Sequence, residues 1–321
     1  DCSNIASIVP FIFIFPIALI TYFVISNLNG NNNLFDLSKN LYKEIILGLI
    51  LISLGYILRY LRWRIIINNL GFYPNYKIEN RLWLASYAFT ASPGKFGEFI
   101  RCFFLKKVFN IPMNHTFIAI LIERFYDLIA VLLISLVLFI IKYDNAIAIN
   151  NNISFLLILL VSVIYIIYIN LGSTKNYFFN KKIILFGNEI TLKSVFYLRN
   201  FRNLFRLEVI SKLIMLSLIS WGLEGLSFFM ILLKLGFSIS YLSSTFVHTA
   251  SGLLCALTML PGGLGSTEAI TVSILKLNNI PIYASTSATS LIRLMTLWYI
   301  TFLGLISLYK VKKQLFKNVK N

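Results

Sequence analysis

The sequence predicts an all-α polytopic membrane protein: about six full spans plus two re-entrant helical hairpins, arranged as inverted repeats. Three observations predict it. The chain is 58% apolar and only 13% charged, with several long runs that carry no charge. Two helix-breaking clusters interrupt apolar surroundings, Ser92-Pro93-Gly94-Lys95-Phe96-Gly97-Glu98 and Leu260-Pro261-Gly262-Gly263-Leu264-Gly265-Ser266-Thr267-Glu268. The flanks of the two clusters match each other in order.

A break of this kind is costly at bilayer depth. Proline removes a backbone donor, glycine supplies conformational freedom, and unpaired backbone is tolerated only against protein or a water-filled cavity. No formally charged side chain occurs between Leu235 and Thr267, so the second cluster reads as membrane-embedded. The matching flanks are Leu70-Gly71-Phe72 with Tyr76 against Leu235-Gly236-Phe237 with Tyr241, and Asn110-Ile111-Pro112 against Asn279-Ile280-Pro281. Arg124 and Arg293 each follow twelve residues after those prolines, and the proline-to-proline spacings are 19 and 20 residues. Four matches in order argue for an internal duplication, with a first repeat over about 41–141 and a second over about 209–309, inside a single transmembrane domain spanning 1–321.

The elements follow in order. Residues 5–25 form a first span that Pro10 and Pro16 can kink. Residues 45–58 begin a second, extended by Arg59, Arg62 and Arg64, whose apolar stems snorkel to a cytoplasmic interface. Residues 82–90 are too short to cross, so the first cluster is the tip of a hairpin dipping from the cytoplasm. Residues 117–141 span outward and 153–171 return. Residues 172–208 are a basic cytoplasmic loop with an interfacial helix near 195–206. Residues 213–233 span outward again, 241–277 form a hairpin from the outer face, and 285–309 return to a basic tail. Both termini are cytoplasmic, in the inner cell membrane. The formal charge of +17 is concentrated in alternate loops, which is the positive-inside pattern, and it points to anionic lipid rather than nucleic acid as the partner.

No Cys-x-x-Cys pair, metal-ligand spacing or Asp-x-Asp motif is present, and no nucleophile–base pair stands out, so no metal, cofactor or catalytic residue is expected. His115 and His248 are isolated and read as packed or interfacial. The candidate substrate-binding residues are intramembrane charges and the breaks themselves. Glu98 and Glu268 lie in the first turn after each break, where they either offset the helix dipole or face a cavity. Arg124 and Arg293 lie too deep to snorkel and need a partner in the bundle interior. Asp127 shares a helix face with Arg124 and can neutralise it. Glu268, Glu224 or a lipid phosphate can serve Arg293. Pro93, Gly94, Gly97, Pro261, Gly262, Gly263 and Gly265 let backbone approach a substrate closely. Glu123 and Glu224 complete the set of buried charges.

Pro-Gly-x-x-Gly-Glu with Arg101 soon after, the Glu123-Arg124-x-x-Asp127 helix and Leu-Pro-Gly-Gly-Leu-Gly-x-x-Glu together resemble the lysylphosphatidylglycerol synthase transmembrane (flippase-like) family. The resemblance covers roughly 41–309. It implies a role in moving or handling phospholipids or lipid-linked precursors, with a phosphate-bearing headgroup as ligand. Nothing here corresponds to the soluble aminoacyl-transferase domain of the synthases, so lipid aminoacylation is not expected. A transporter is favoured over an enzyme. The alternatives are a membrane glycosyltransferase or a non-catalytic partner acting on polyprenyl-phosphate-linked substrates, and a partner enzyme or a homo-oligomer stays open.

Overall fold

The computed structural model describes residues 41–90, 92, 96–142, 182–185, 188–191, 203–204, 206–258, 260 and 262–316. The expected spans at 5–25 and 153–171 and most of the expected interfacial helix at 195–206 lie outside the described residues.

The first half opens with α1 (Tyr42–Asn69) and continues with α2 (Tyr76–Ser86), which ends in a 3-10 turn, Tyr87–Phe89. The first break follows, then a second 3-10 turn, Phe96–Phe99, α3 (Ile100–Phe109) and α4 (Met113–Lys142). A short antiparallel hairpin, β1 (Lys182–Leu185) with β2 (Asn188–Thr191), lies within the basic loop. The sequence pattern predicts no strand there. The second half runs α5 (Leu207–Lys234), α6 (Tyr241–Leu257), the second break, α7 (Ser266–Leu277) and α8 (Ile282–Arg293). One π-helical turn, Leu294–Trp298, joins α8 to α9 (Tyr299–Phe316).

Both halves use the same local devices in the same order. After α1, Gly71 takes a positive φ of 91° and the Phe72 N–H donates back to Ile67; after α5, Gly236 takes 89° and the Phe237 N–H donates back to Leu232. These left-handed glycine caps satisfy the last carbonyls of each helix. Asn75 and Ser240 then cap α2 and α6, accepting hydrogen bonds from the Lys77 and Ser243 amides. Past the breaks, Asn110 and Asn279 both adopt left-handed φ, 55° and 61°, ending α3 and α7 just before a proline restarts the chain.

Among the described residues, three helices are long and apolar enough to cross a membrane: Tyr42–Asn69, Leu207–Lys234 and the continuous rod Ile282–Lys312. Two of them, α1 and α5, pack along each other. Small residues set how closely: Gly55 faces the Ser220 backbone, and the Ser227 hydroxyl donates to the Gly48 carbonyl at 3.3 Å. In lipid, association rests on this kind of close contact because neighbouring tails are as apolar as leucine. The outer side of α1, with Ile46, Leu47, Ile50, Leu54, Ile57 and Leu61, is exposed.

The two halves interlock at their ends. Helix α9 packs on α2 and its 3-10 turn, while α4 packs on α6. Gly304 makes the first contact: a Cβ there would meet the Ala88 amide and the Tyr87 carbonyl carbon.

Candidate functional site

The site grows from charges that α1, α4 and α5 turn inward. On α1, Arg59, Arg62 and Trp63 fall in phase with the buried Ile66 and Ile67, so they face the bundle. Arg62 is 1% exposed. Its Nη1 donates to Asp127 Oδ1 at 2.6 Å and its Nη2 to Oδ2 at 3.2 Å, a two-pronged grip across to α4. Nη1 also reaches the Ser217 hydroxyl of α5 at 2.5 Å, and Trp221 Nε1 donates to Asp127 Oδ1 at 3.1 Å. One carboxylate thus ties three helices together.

This corrects the sequence reading of Arg59 and Arg62. They do not snorkel to an interface, because α1 runs on to Asn69 and buries Trp63, Ile66 and Ile67 beyond them. Arg64, two residues beyond Arg62, is the more exposed member and pairs with Glu79 at 3.4 Å.

A second cluster lies around Arg101 of α3. Its Nη1 donates to Glu123 Oε2 at 2.7 Å and its Nε to the Ser86 hydroxyl at 3.2 Å. The guanidinium lies 4.5 Å from the Trp63 ring centroid, with the Trp83 and Tyr87 rings at 5.5 and 5.8 Å. A wholly buried cation survives in a membrane protein only with such partners.

Between the halves lies a cavity of about 110 Å³, well above the roughly 10–15 Å³ that a single water needs. Its charged lining comes from Arg59, Arg124, Arg293, Glu98, Asp127 and Glu224, with His248 beside them. Arg59 pairs with Glu224 at 2.9 Å, and the other Glu224 oxygen meets His248 Nε2 at 3.1 Å. The Arg59 guanidinium lies 4.7 Å from the Trp221 ring centroid and 5.1 Å from that of Tyr56. Arg124 lies 3.4 Å from both Glu98 and Asp127. Arg293 donates through Nε to Glu268 at 2.9 Å and through Nη2 to the Gly262 carbonyl at 2.7 Å. Directly after Arg293, the π turn brings Thr296 and Leu297 into the same lining. Such turns insert one residue into a helix and rotate the side chains beyond it to a new face.

The expected site residues therefore divide. Arg124, Arg293, Glu98, Asp127, Glu224 and Gly262 line the cavity together. Glu268 is absent from the lining but holds Arg293. Glu123 belongs to the Arg101 cluster and lies 3.8 Å from Arg62. Gly97 packs against the Phe89 backbone, and Gly263 sits against Cys255 and Thr267. Gly265 is exposed and precedes α7 with φ 79°. Pro93, Gly94 and Pro261 lie outside the described residues. At the start of α7 the Thr267 amide is spent on the Gly263 carbonyl at 3.0 Å, so it is not free to meet an anion.

Sequence reasoning missed Arg59, Arg62, Arg101 and Trp221 as inward-facing groups, and it read His248 as packed or interfacial without finding its carboxylate partner. For the first two the helical phase with Trp63, Ile66 and Ile67 was the available signal. For His248 there was none, since its carboxylate partner lies 24 residues away on another helix.

Some guanidinium donors remain unspent. Nε and Nη2 of Arg59 and Nε of Arg124 are buried and find no hydrogen-bond acceptor among the described residues. Both residues border the cavity, and a guanidinium with spare donors suits an incoming anion such as a phosphate.

Comparison with known proteins agrees with the helical membrane architecture. The family model described as the lysylphosphatidylglycerol synthase TM region matches residues 7–304. A UPF0104 membrane protein of Methanocaldococcus jannaschii is 30% identical over 237 residues, covering 71% of this chain and 96% of its own length. Another, from Pyrococcus horikoshii, is 24% identical over 299 residues, covering 84% of this chain and 88% of its own. With its apolar helices, its two matching broken segments and a family match across most of its length, the chain belongs to the family of the lysylphosphatidylglycerol synthase transmembrane region, an integral membrane family.

Proposed function

We propose that the protein moves a phosphate-bearing lipid headgroup across the membrane, through the cavity between its halves, while the acyl tails stay in lipid. The observation that carries this reading is the convergence of Arg59, Arg124 and Arg293 on one cavity, with N–H groups of Arg59 and Arg124 left without an acceptor among the described residues. A guanidinium stays charged at all physiological pH and grips phosphate oxygens in pairs. Burying it without a full set of partners is expensive, and a headgroup phosphate would complete the set.

The repeated devices support an internal duplication. In this reading the halves insert with opposite orientation, both termini lie on the cytoplasmic side of the inner cell membrane, and the two breaks meet near the bilayer midplane. Inverted repeats with broken helices at the midplane are a transporter architecture. Partners are then membrane lipids, and any driving energy comes from a coupled ion or another protein.

Purified protein in vesicles tests this directly. Tail-labelled phospholipid added during reconstitution is followed by an impermeant quencher. The expected result is loss of the protected inner-leaflet signal in vesicles with protein and its retention in empty vesicles, with Arg59→Gln slowing the exchange about tenfold or more. Equal rates in full and empty vesicles would overturn the reading. Turnover that requires a sugar donor would move the assignment to a glycosyltransferase on a lipid-linked substrate.

A further inference from the structure

The cavity holds both spare donors and spare acceptors. Its guanidinium groups with spare N–H come from α1 and α4, namely Arg59 and Arg124. The second half adds four threonines beside Trp221, Glu224, His248 and Arg293: Thr267 and Thr271 from α7, Thr289 from α8 and Thr296 from the π turn. All four are at least nine-tenths buried.

Each of these hydroxyls has already used its proton. Thr267 donates to the Gly263 carbonyl at 2.9 Å, Thr271 to Thr267 at 2.7 Å, Thr289 to Ser285 at 2.6 Å and Thr296 to Ile292 at 2.7 Å. A hydroxyl carries one proton and two lone pairs. With the proton held by its own helix, the hydroxyl offers the cavity only acceptor capacity. An anion alone has nothing to give such a wall, because two acceptors do not bind each other.

We propose that the cavity selects a phosphodiester headgroup whose substituent bears hydrogen-bond donors, hydroxyl or amine. The phosphate sits on Arg59 and Arg124, and the donors meet the threonine oxygens of α7, α8 and the π turn. This rests on the headgroup-transport reading above and names the substrate class of that same site. A substituent lacking donors leaves the buried oxygens unpaired, and sites built to hydrogen-bond a substrate hydroxyl reject analogues without one strongly.

The test compares two tail-labelled lipids of equal charge in the same vesicles, phosphatidylglycerol and phosphatidylmethanol. Both are anionic phosphodiesters, and only the first carries hydroxyl donors. Phosphatidylglycerol is expected to cross about tenfold faster or more. Replacing Thr271→Val with Thr289→Val should close the gap by slowing phosphatidylglycerol to the rate of phosphatidylmethanol measured in the same protein, while Thr→Ser at both positions keeps the gap. Equal rates for the two lipids in the unaltered protein would overturn the selectivity and leave transport standing, and that comparison needs no variant to fold. A gap that persists in the valine protein would also overturn it. Movement of neither lipid above empty vesicles would remove the transport reading and this proposal with it.

Discussion

Arg293 donates its Nε to Glu268 at 2.9 Å, joining the end of α8 to the first turn of α7, the helix that follows the second break. Arg124 and Glu98 repeat the relationship in the first half at 3.4 Å. The two arginines singled out by their position after the Asn-Ile-Pro turns are therefore each held by the glutamate of their own half, and both border one cavity. Glu98 and Glu268 do more than offset a helix dipole. They keep a guanidinium in place at the cavity wall.

Arg293→Ala is expected to abolish lipid exchange and to lower stability, because Glu268 and the Gly262 carbonyl lose a charged partner. The double replacement Arg293→Ala with Glu268→Ala should recover thermal stability in detergent without recovering transport. Arg293→Lys should restore part of the rate, as a point charge without the fork. The same triplet applies to Arg124 with Glu98. Full transport in Arg293→Ala would take the arginine out of the mechanism.

Arg62 should matter for folding ahead of transport. Arg62→Ala leaves Asp127 short of its two-pronged partner and strands the Ser217 contact. Removing one member of a buried pair costs about 3–5 kcal/mol. The expected outcome is loss of a monodisperse peak on mild heating in detergent. A melting profile equal to the unaltered protein would show that Trp221 and Arg124 suffice to hold Asp127.

The breaks should be intolerant of side chains in graded fashion. A Cβ at Gly263 would lie 2.7 Å from Thr267 Oγ1 and 2.9 Å from Cys255 Sγ, at a φ of 64°. The pair Gly262→Leu with Gly263→Leu is expected to eliminate activity and much of the folded yield. Gly265→Ala meets open space and bears only the strain of its positive φ, about 1–2 kcal/mol. Equal yields for the two proteins would mean the second break is a plain loop.

Loop charge and parity set the topology test. Single cysteines near Asn31, Asp144 and Asn278 should react with an impermeant thiol reagent from outside, and those near Asn75, Asn188 and Lys317 only after permeabilisation. Labelling of Asn278 from the cytoplasmic side alone would refute opposite orientation of the halves.

Much of the architecture was legible because membrane folding leaves few options. Apolar length places spans at 45–58, 213–233 and 285–309, each inside an observed helix (42–69, 207–234 and 282–312), and Pro-Gly clusters mark where helices stop. Gly71 and Gly236, read as repeat markers, turn out to be left-handed caps, which explains why both halves need glycine there. What escaped was the destination of the charges. Positive-inside reasoning counts arginines near helix ends, and Arg59 and Arg62 fell in that window until α1 proved longer than its apolar run. Their partners Glu224 and Asp127 lie far along the chain, so no local spacing pairs them. The β1–β2 hairpin lies in a stretch with no strong apolar alternation to announce it.

The interlock between α9 and α2 also has a temporal side. A partner of α2 and its 3-10 turn is the final helix of the described chain, so the ribosome releases α2 long before that cover exists. At about 5–20 residues per second that interval is on the order of ten seconds or longer. During it, the groove into which Gly304 later fits lies open to lipid or to the insertion machinery. Truncation within α9 should therefore leave a nascent protein whose first half is complete in sequence yet unfinished in shape, a natural substrate for membrane quality control.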